Sequence, residues 1–163
     1  MIRKVTLALL FGLCIGNAQA KSKERAKTYH ICTSADTPEK VLACAVYFEA
    51  RSEGEKGMFY VGNVVMNRRS HDKYPSKITK VVYQKHQFSY IRKRMKVQDK
   101  ESWQKAVEVS TKLLSMPSEK RRLTDPTRGS TMFHKKGKKP YWAKKYQRTV
   151  SIGRHIFYRE KKK

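Results

Sequence analysis

The sequence predicts an α+β domain, mainly helical, with a small antiparallel element near the C-terminus. Three observations predict it. Apolar residues recur at the helical period in three stretches between Thr37 and Met116. Pro117 closes the last of these, and the period changes after it. From Thr149 to Tyr158 the chain alternates, with Val150, Ile152, Ile156 and Tyr158 on one side of a strand. At 163 residues the chain is long enough for one domain with a modest core.

The N-terminus stands apart from that core. Met1-Ile2-Arg3-Lys4 is a basic start, Val5 to Ile15 is mostly apolar, and Ala18-Gln19-Ala20 is a small-x-small cleavage site. Residues 1–20 therefore read as a cleaved signal peptide, and the protein is expected in the periplasm or secreted. The apolar run is short for a membrane span, and bulky Leu13 before Cys14 argues against a lipoprotein. Residues 21–36 carry charge and little periodicity, and read as a basic, mobile arm. Export would leave Cys32 and Cys44, which in an oxidising compartment form a candidate disulfide; two free, buried thiols are the alternative. Zinc fails on spacing, because no second close Cys/His pair joins His30 and Cys32.

Thr37-Pro38-Glu39 is a helix start, with Thr as N-cap, Pro at the first helical position and an acid in the first turn. The helix runs to about Arg51. On one reading of its period Leu42, Ala45, Val46 and Glu49 share a face, which puts a carboxylate on the stripe that faces the core. Desolvation there raises a carboxyl pKa, which suits a general acid near neutral pH. On another reading the buried face is Val41, Cys44, Ala45 and Phe48, and Glu49 is a boundary residue paired with Arg51 or a lysine.

Ser52 and Glu55 fit a capping box for a second helix, which sets Met58, Val61, Gly62 and Val65 on one face and ends near Arg69. Gly62 leaves room for another backbone to come close. Residues 70–77 form a polar loop, followed by a short amphipathic turn at Ile78, Val81 and Val82. Asp99 caps the clearest helix, carrying Trp103, Ala106, Val107, Ser110, Leu113 and Leu114 at the 3.6 period. Residues 118–129 read as a polar, basic loop, Ser130 to His134 as a short strand, and residues 135–139 as a charged turn before the strand at 149–158.

Several blocks carry a family resemblance. Tyr47-Phe48-Glu49-Ala50-Arg51-Ser52-Glu53 is followed by Gly57 and by Val61-Gly62-Asn63-Val64-Val65-Met66-Asn67-Arg68. Then come Tyr74-Pro75, Ile78, Val81-Val82-Tyr83-Gln84 and Gln87-Phe88-Ser89. Asp125-Pro126-Thr127 with Gly129, Phe133-His134, Pro140 with Trp142-Ala143, and Ile152-Gly153 with His155 and Phe157-Tyr158 complete the series. In this order they resemble the SleB/CwlJ cell-wall hydrolases, the spore-cortex-lytic enzymes, over roughly residues 38–158. One departure is Ser52, where that family usually has Gly. The resemblance implies a lysozyme-like, lytic-transglycosylase-like catalytic domain over residues 37–160, acting on peptidoglycan. It also implies a single glutamate, Glu49, that serves as acid and then base while the substrate's own C6 hydroxyl attacks, leaving a 1,6-anhydro-muramoyl end.

The residues themselves offer one good acid and no obvious nucleophile. Glu53 is i+4 from Glu49 but beyond the expected helix end, and Glu55 is expected to be committed to capping. Gln87, Ser89 and Tyr90 are candidates for binding an N-acetyl group or developing charge, with local loop-fixing as the alternative, and Tyr47 for facing the cleft to bind substrate, with packing as the alternative. Trp142 is a candidate for stacking on a sugar ring, with rim packing as the alternative. His134 and His155 are expected on the two strand segments, where pairing across a hairpin is one option; His134 is a candidate for binding substrate, with a purely structural role as the alternative. Asn67 and Arg68 are expected to bind backbone or loop groups rather than substrate. No cofactor is called for.

Charge points to a second function class. The chain carries 38 Lys and Arg against 13 Asp and Glu. Removing residues 1–20 takes away Arg3 and Lys4 and no acid, so a formal +23 remains. Such an excess favours polyanions, whether nucleic acid or the anionic polymers of a cell envelope. A basic binding protein without chemistry, using Arg92, Lys93 and Arg94, is the rival reading. A nuclease is disfavoured, because no metal cluster or His-rich motif has useful spacing. No obligate protein partner is indicated.

Overall fold

In the computed structural model, residues 29–85, 87–88 and 96–161 are described. The expected signal peptide, the arm up to residue 28, Ser89, Tyr90 and the cluster Arg92-Lys93-Arg94 lie outside them.

The chain forms β1 (His30–Ile31), α1 (Pro38–Ala50), a 3-10 turn (Arg51–Glu53), α2 (Gly54–Arg69) and α3 (Ile78–Val82). There follow β2 (Lys96–Val97), α4 (Lys100–Ser115), α5 (Ser118–Thr124), β3 (Met132–Lys135), a second 3-10 turn (Tyr141–Lys145), β4 (Tyr146–Ile152) and β5 (His155–Glu160). The α+β expectation is met, with a helical layer around α1 and a small antiparallel sheet beyond it.

α1 starts as its sequence dictates: Thr37 Oγ1 accepts from the Lys40 amide and Pro38 opens the first turn. Its stripe is not a stripe. Every residue from Val41 to Tyr47 is buried, because α2, α3 and α4 enclose the helix. The choice between two apolar faces therefore dissolves, and only Phe48 and Glu49 emerge, half-buried, near the C-terminal end. The approach of α4 to α2 is made at Gly62, where an added Cβ would collide with Leu113 Cδ1 and touch Val46 Cγ1 at 3.4 Å.

Four expectations are corrected. Residues 29–36 are not a loose arm: His30 and Ile31 pair antiparallel with Val97 and Lys96, and Cys32 is bonded to Cys44 of α1, with Cα atoms 6.1 Å apart. His30 stacks on Trp103 of α4 at 4.8 Å, and its Nε2 lies 3.0 Å from Asp36 Oδ2. The Ser52/Glu55 capping box is not made, since α2 is preceded by Glu53, whose carboxylate is engaged elsewhere. Residues 118–124 are helical: Pro117 ends α4 for lack of an N–H but is well placed to open the next helix. Finally, 149–158 is not one strand. Gly153, at φ +53°, reverses the chain into β4 and β5, which with β3 form a three-stranded sheet ordered β3-β5-β4.

The two layers are tied by polar contacts. Asn67 Nδ2 donates to Asp125 Oδ2 (2.8 Å) and the Ser130 carbonyl (3.1 Å), and Arg121 donates to Asn67 Oδ1 (2.9 Å). Arg68 Nε donates to the Thr131 carbonyl at 2.7 Å. Asn67 and Arg68 Nε bind loop and backbone groups as expected, but Arg68 also reaches the cleft between the two layers, where its Nη1 has no partner among the described residues.

Two outcomes follow. Gly62→Ala should lower stability by about 1–3 kcal/mol through overpacking, read as a lower urea midpoint. Replacing Cys32 and Cys44 together by Ser should cost about 3 kcal/mol for a loop of this length, and a reductant should lower the wild-type melting temperature similarly.

Candidate active site

Glu49 leaves the core into a cleft of about 540 Å³ between the helical layer and the sheet. Arg68 and Gln87 line the helical side with it; Phe133, His134, Lys135, Trp142 and His155 line the other. Glu49 is the one carboxylate lining this cleft among the described residues. Burial holds its carboxyl above the usual carboxylate range, against the opposing pull of the Lys135 and Arg68 cations. A carboxyl whose proton affinity is raised at the mouth of a cleft is placed to act as a proton donor.

Arg68 is the charged floor of the site. Its guanidinium is buried, lies over the rings of Tyr74 (5.6 Å) and Phe88 (5.7 Å), and leaves Nη1 without a partner among the described residues. Burial pulls its pKa down, and Tyr74, Tyr146 and Glu49 oppose that pull.

Of the residues singled out from the sequence, Glu49, Gln87, His134 and Trp142 meet in one cleft. Trp142 packs edge-on against His134, Tyr146 and Tyr158. Tyr47 does not join them. It is 1% exposed, its hydroxyl accepts from the Asp99 amide at 3.2 Å, and Arg51 lies over its ring. Two positions before Glu49 on a helix is a different face, and here that face points to α4. Ser89 and Tyr90 lie outside the described residues.

His134 and His155 do not pair with each other. Across β3 and β5, His134 stands opposite Ile156, and its Nε2 is 2.9 Å from the Tyr158 hydroxyl. His155 turns instead to Glu53, whose Oε1 is 2.8 Å from its Nδ1. Glu53 Oε2 also accepts from the Arg154 amide at 2.9 Å. Gly153 permits this approach, since a Cβ there would strike the carboxylate. Glu53 is therefore occupied, and Glu55 is exposed and caps nothing. Lys135, Arg68 and the Glu53–His155 pair were not assigned to the site from sequence; the i+4 spacing of Glu53 from Glu49 was the available signal.

His30, Cys32 and Cys44 bring three potential ligand atoms within 4.8 Å, but both sulfurs are in the disulfide and the imidazole is held by Asp36.

Residues 52–158 match the family model described as Cell Wall Hydrolase. Among solved structures, the catalytic domain of the germination-specific lytic transglycosylase SleB from Bacillus anthracis is similar, at TM-score 0.60 and 21% identity, covering 78% of this chain and 100% of that one. The catalytic domain of the Bacillus cereus SleB protein is similar at TM-score 0.58 and 18% identity, covering 80% and 94% respectively. No curated protein sequence matches the chain.

Because Lys135 is the larger of the two opposing cations and lies exposed, Lys135→Gln should let Glu49 hold its proton to still higher pH. Carbon NMR of the Glu49 carboxyl should show the titration midpoint moved upward; an unmoved midpoint would mean that solvent already screens the lysine.

Proposed function

The chain belongs to the cell wall hydrolase family, and we propose that it cleaves the glycan strands of peptidoglycan with Glu49 as the general acid and then the base. The observation that carries this reading is the half-buried Glu49 carboxyl, held above its usual pKa in a cleft that contains no second carboxylate among the described residues.

Breaking a glycosidic bond needs a proton at the leaving oxygen and a way to satisfy the electron-poor anomeric carbon. Glu49 in its protonated form supplies the first. The usual two-carboxylate mechanisms, retaining or inverting, need a nucleophile or base that Glu53 and Glu55 do not provide from their observed positions. A sugar hydroxyl of the substrate closing on its own anomeric carbon needs no enzyme nucleophile, and its proton passes to the Glu49 carboxylate left when the departing oxygen was protonated. The proposed product is therefore a 1,6-anhydro-muramoyl end, the outcome of a lytic transglycosylase. Arg68 and Gln87 offer donors to substrate oxygens, and Trp142 an aromatic edge for a sugar ring.

The positive charge supports a location next to anionic polymers. We place the mature protein outside the cytoplasm after removal of residues 1–20, where wall and outer-membrane phosphates would hold it near its substrate.

Glu49→Gln should reduce the release of muropeptides from purified sacculi by about 10²–10⁴-fold, with thermal stability kept. Mass spectrometry should find anhydro ends in the wild-type products. Reducing ends instead would assign the attack to water, and a Gln variant as active as wild type would remove Glu49 from the reaction.

A further inference from the structure

We propose that a second pocket, built by residues 137–144 against the outer face of β5, binds the acidic stem peptide of the muramoyl unit being cleaved. The inference rests on the glycan-cleaving reading above and deepens it by naming the part of the substrate that these residues recognise.

Alternation along β3 and β5 gives their sheet two faces. His155 and Phe157 are buried and pack with Phe133. His134, Ile156 and Tyr158 stand on the other face, with His134 directly opposite Ile156. The chain after β3 folds back over that second face. Gly137, at φ +83°, makes the turn, and the Lys136 and Lys138 amides donate to the Arg154 and Lys135 carbonyls at 2.8 and 3.1 Å. The space enclosed is about 680 Å³, a volume suited to a small ligand. It shares His134, Lys138 and Tyr141 with the Glu49 cleft, so one bound molecule can occupy both.

The lining has two characters. Pro140, Tyr141, Ala143, Ile156 and Tyr158 supply an apolar and aromatic wall. Part of that wall is fixed. His134 Nδ1 donates to the Lys135 carbonyl at 2.9 Å, so its Nε2 accepts from the Tyr158 hydroxyl, also at 2.9 Å, and the two rings stack. Tyr141, by contrast, is 84% exposed, an aromatic ring that the fold leaves uncovered. Lys138, Lys139 and Lys144 add three exposed cations, and no acid lines the pocket. None of the three ammonium groups has an ion-pair partner among the described residues.

Like charges gathered without a counter-charge repel one another, and an anionic ligand relieves that repulsion. A phosphate polymer would engage the lysines and leave the wall unused. A peptide bearing carboxylates and small apolar side chains engages both. The stem peptide is such a chain, with more carboxylates than amines and with alanine methyl groups between them. It hangs from the same muramoyl ring whose glycosidic bond Glu49 serves, so its first residue lies at the cleft whenever that ring is bound. Four extended residues span about 13–14 Å, enough to pass into a pocket that shares a wall with the cleft.

Lys139 and Lys144 line this pocket and not the Glu49 cleft, and removing them tests the assignment. Lys139→Gln with Lys144→Gln should raise KM on intact sacculi about tenfold, the worth of two exposed ion pairs, with kcat little changed. Glycan strands stripped of their stems by an amidase should be cut by this variant as by wild type. Lys100→Gln with Lys120→Gln, on α4 and α5 and outside both pockets, removes the same charge and should alter neither substrate. An unchanged KM on intact sacculi would overturn the proposal. So would equal losses on intact and stripped strands, or an equal loss in the α4/α5 variant, either of which would assign the lysines to general attraction for polyanions.

A readout free of catalysis separates this site from the Glu49 reading. In carbon NMR of tyrosine-labelled wild type, Tyr141 and Tyr158 should shift on addition of purified stem tetrapeptide and not on addition of inorganic phosphate. Such shifts in a protein that releases no muropeptides would overturn glycan cleavage and keep the site. Unmoved tyrosines, or equal shifts with phosphate, would overturn the site and leave the role of Glu49 intact.

Discussion

The enclosure of α1 from Val41 to Tyr47 is the constraint on which the rest depends. A helix buried on every side cannot present a polar residue along its length without leaving that residue unsatisfied, so charge is confined to its ends. Glu49 sits where the enclosing helices stop and the sheet has not yet begun. There burial raises its proton affinity while it still lines a cleft that a ligand can enter. The cations of Lys135 and Arg68 oppose the desolvation without overcoming it, and the carboxyl is thereby poised rather than trapped in either form.

The opposite wall of the cleft is brought by contacts that span the whole chain. Asn67 and Arg68 at the end of α2 reach Asp125, Ser130 and Thr131 just before β3. Glu53, one helical turn beyond Glu49, reaches the turn between β4 and β5. These two attachments hold the sheet to the two helices that border the cleft. They are polar and partly buried, so each is strong in geometry and intolerant of losing one partner. The blocks Asn67-Arg68 and Asp125-Pro126-Thr127, 58 positions apart at the Asn67–Asp125 bond, form a single junction.

Much of the helical layer was legible because its signals are local. Thr37 and Asp99 as N-caps, Pro38 in the first turn, Pro117 as a stop and the apolar period of α4 each act within a few residues, and each appears where expected. The failures share a cause. Tyr47 was expected in the cleft, but its hydroxyl belongs to the amide of Asp99, 52 positions away. Glu53 was set aside as lying past a helix end; its partner is 102 positions away and approachable only because residue 153 is glycine. The alternation of 149–158 was real, and Gly153 within it marks the reversal that makes two strands of it.

By itself the sequence determined α1, α2 and α4, the acid at the end of the first one, the cationic excess and, through ordered motifs, the family. These are matters of composition and of spacing under about one turn, which a chain carries wherever it folds. Only the tertiary structure decided which residues share water-poor space with Glu49, which cations offset its burial, and which partner takes Nδ1 of His155. Those depend on distances between segments remote in the chain, and pKa and tautomer follow such distances rather than residue type.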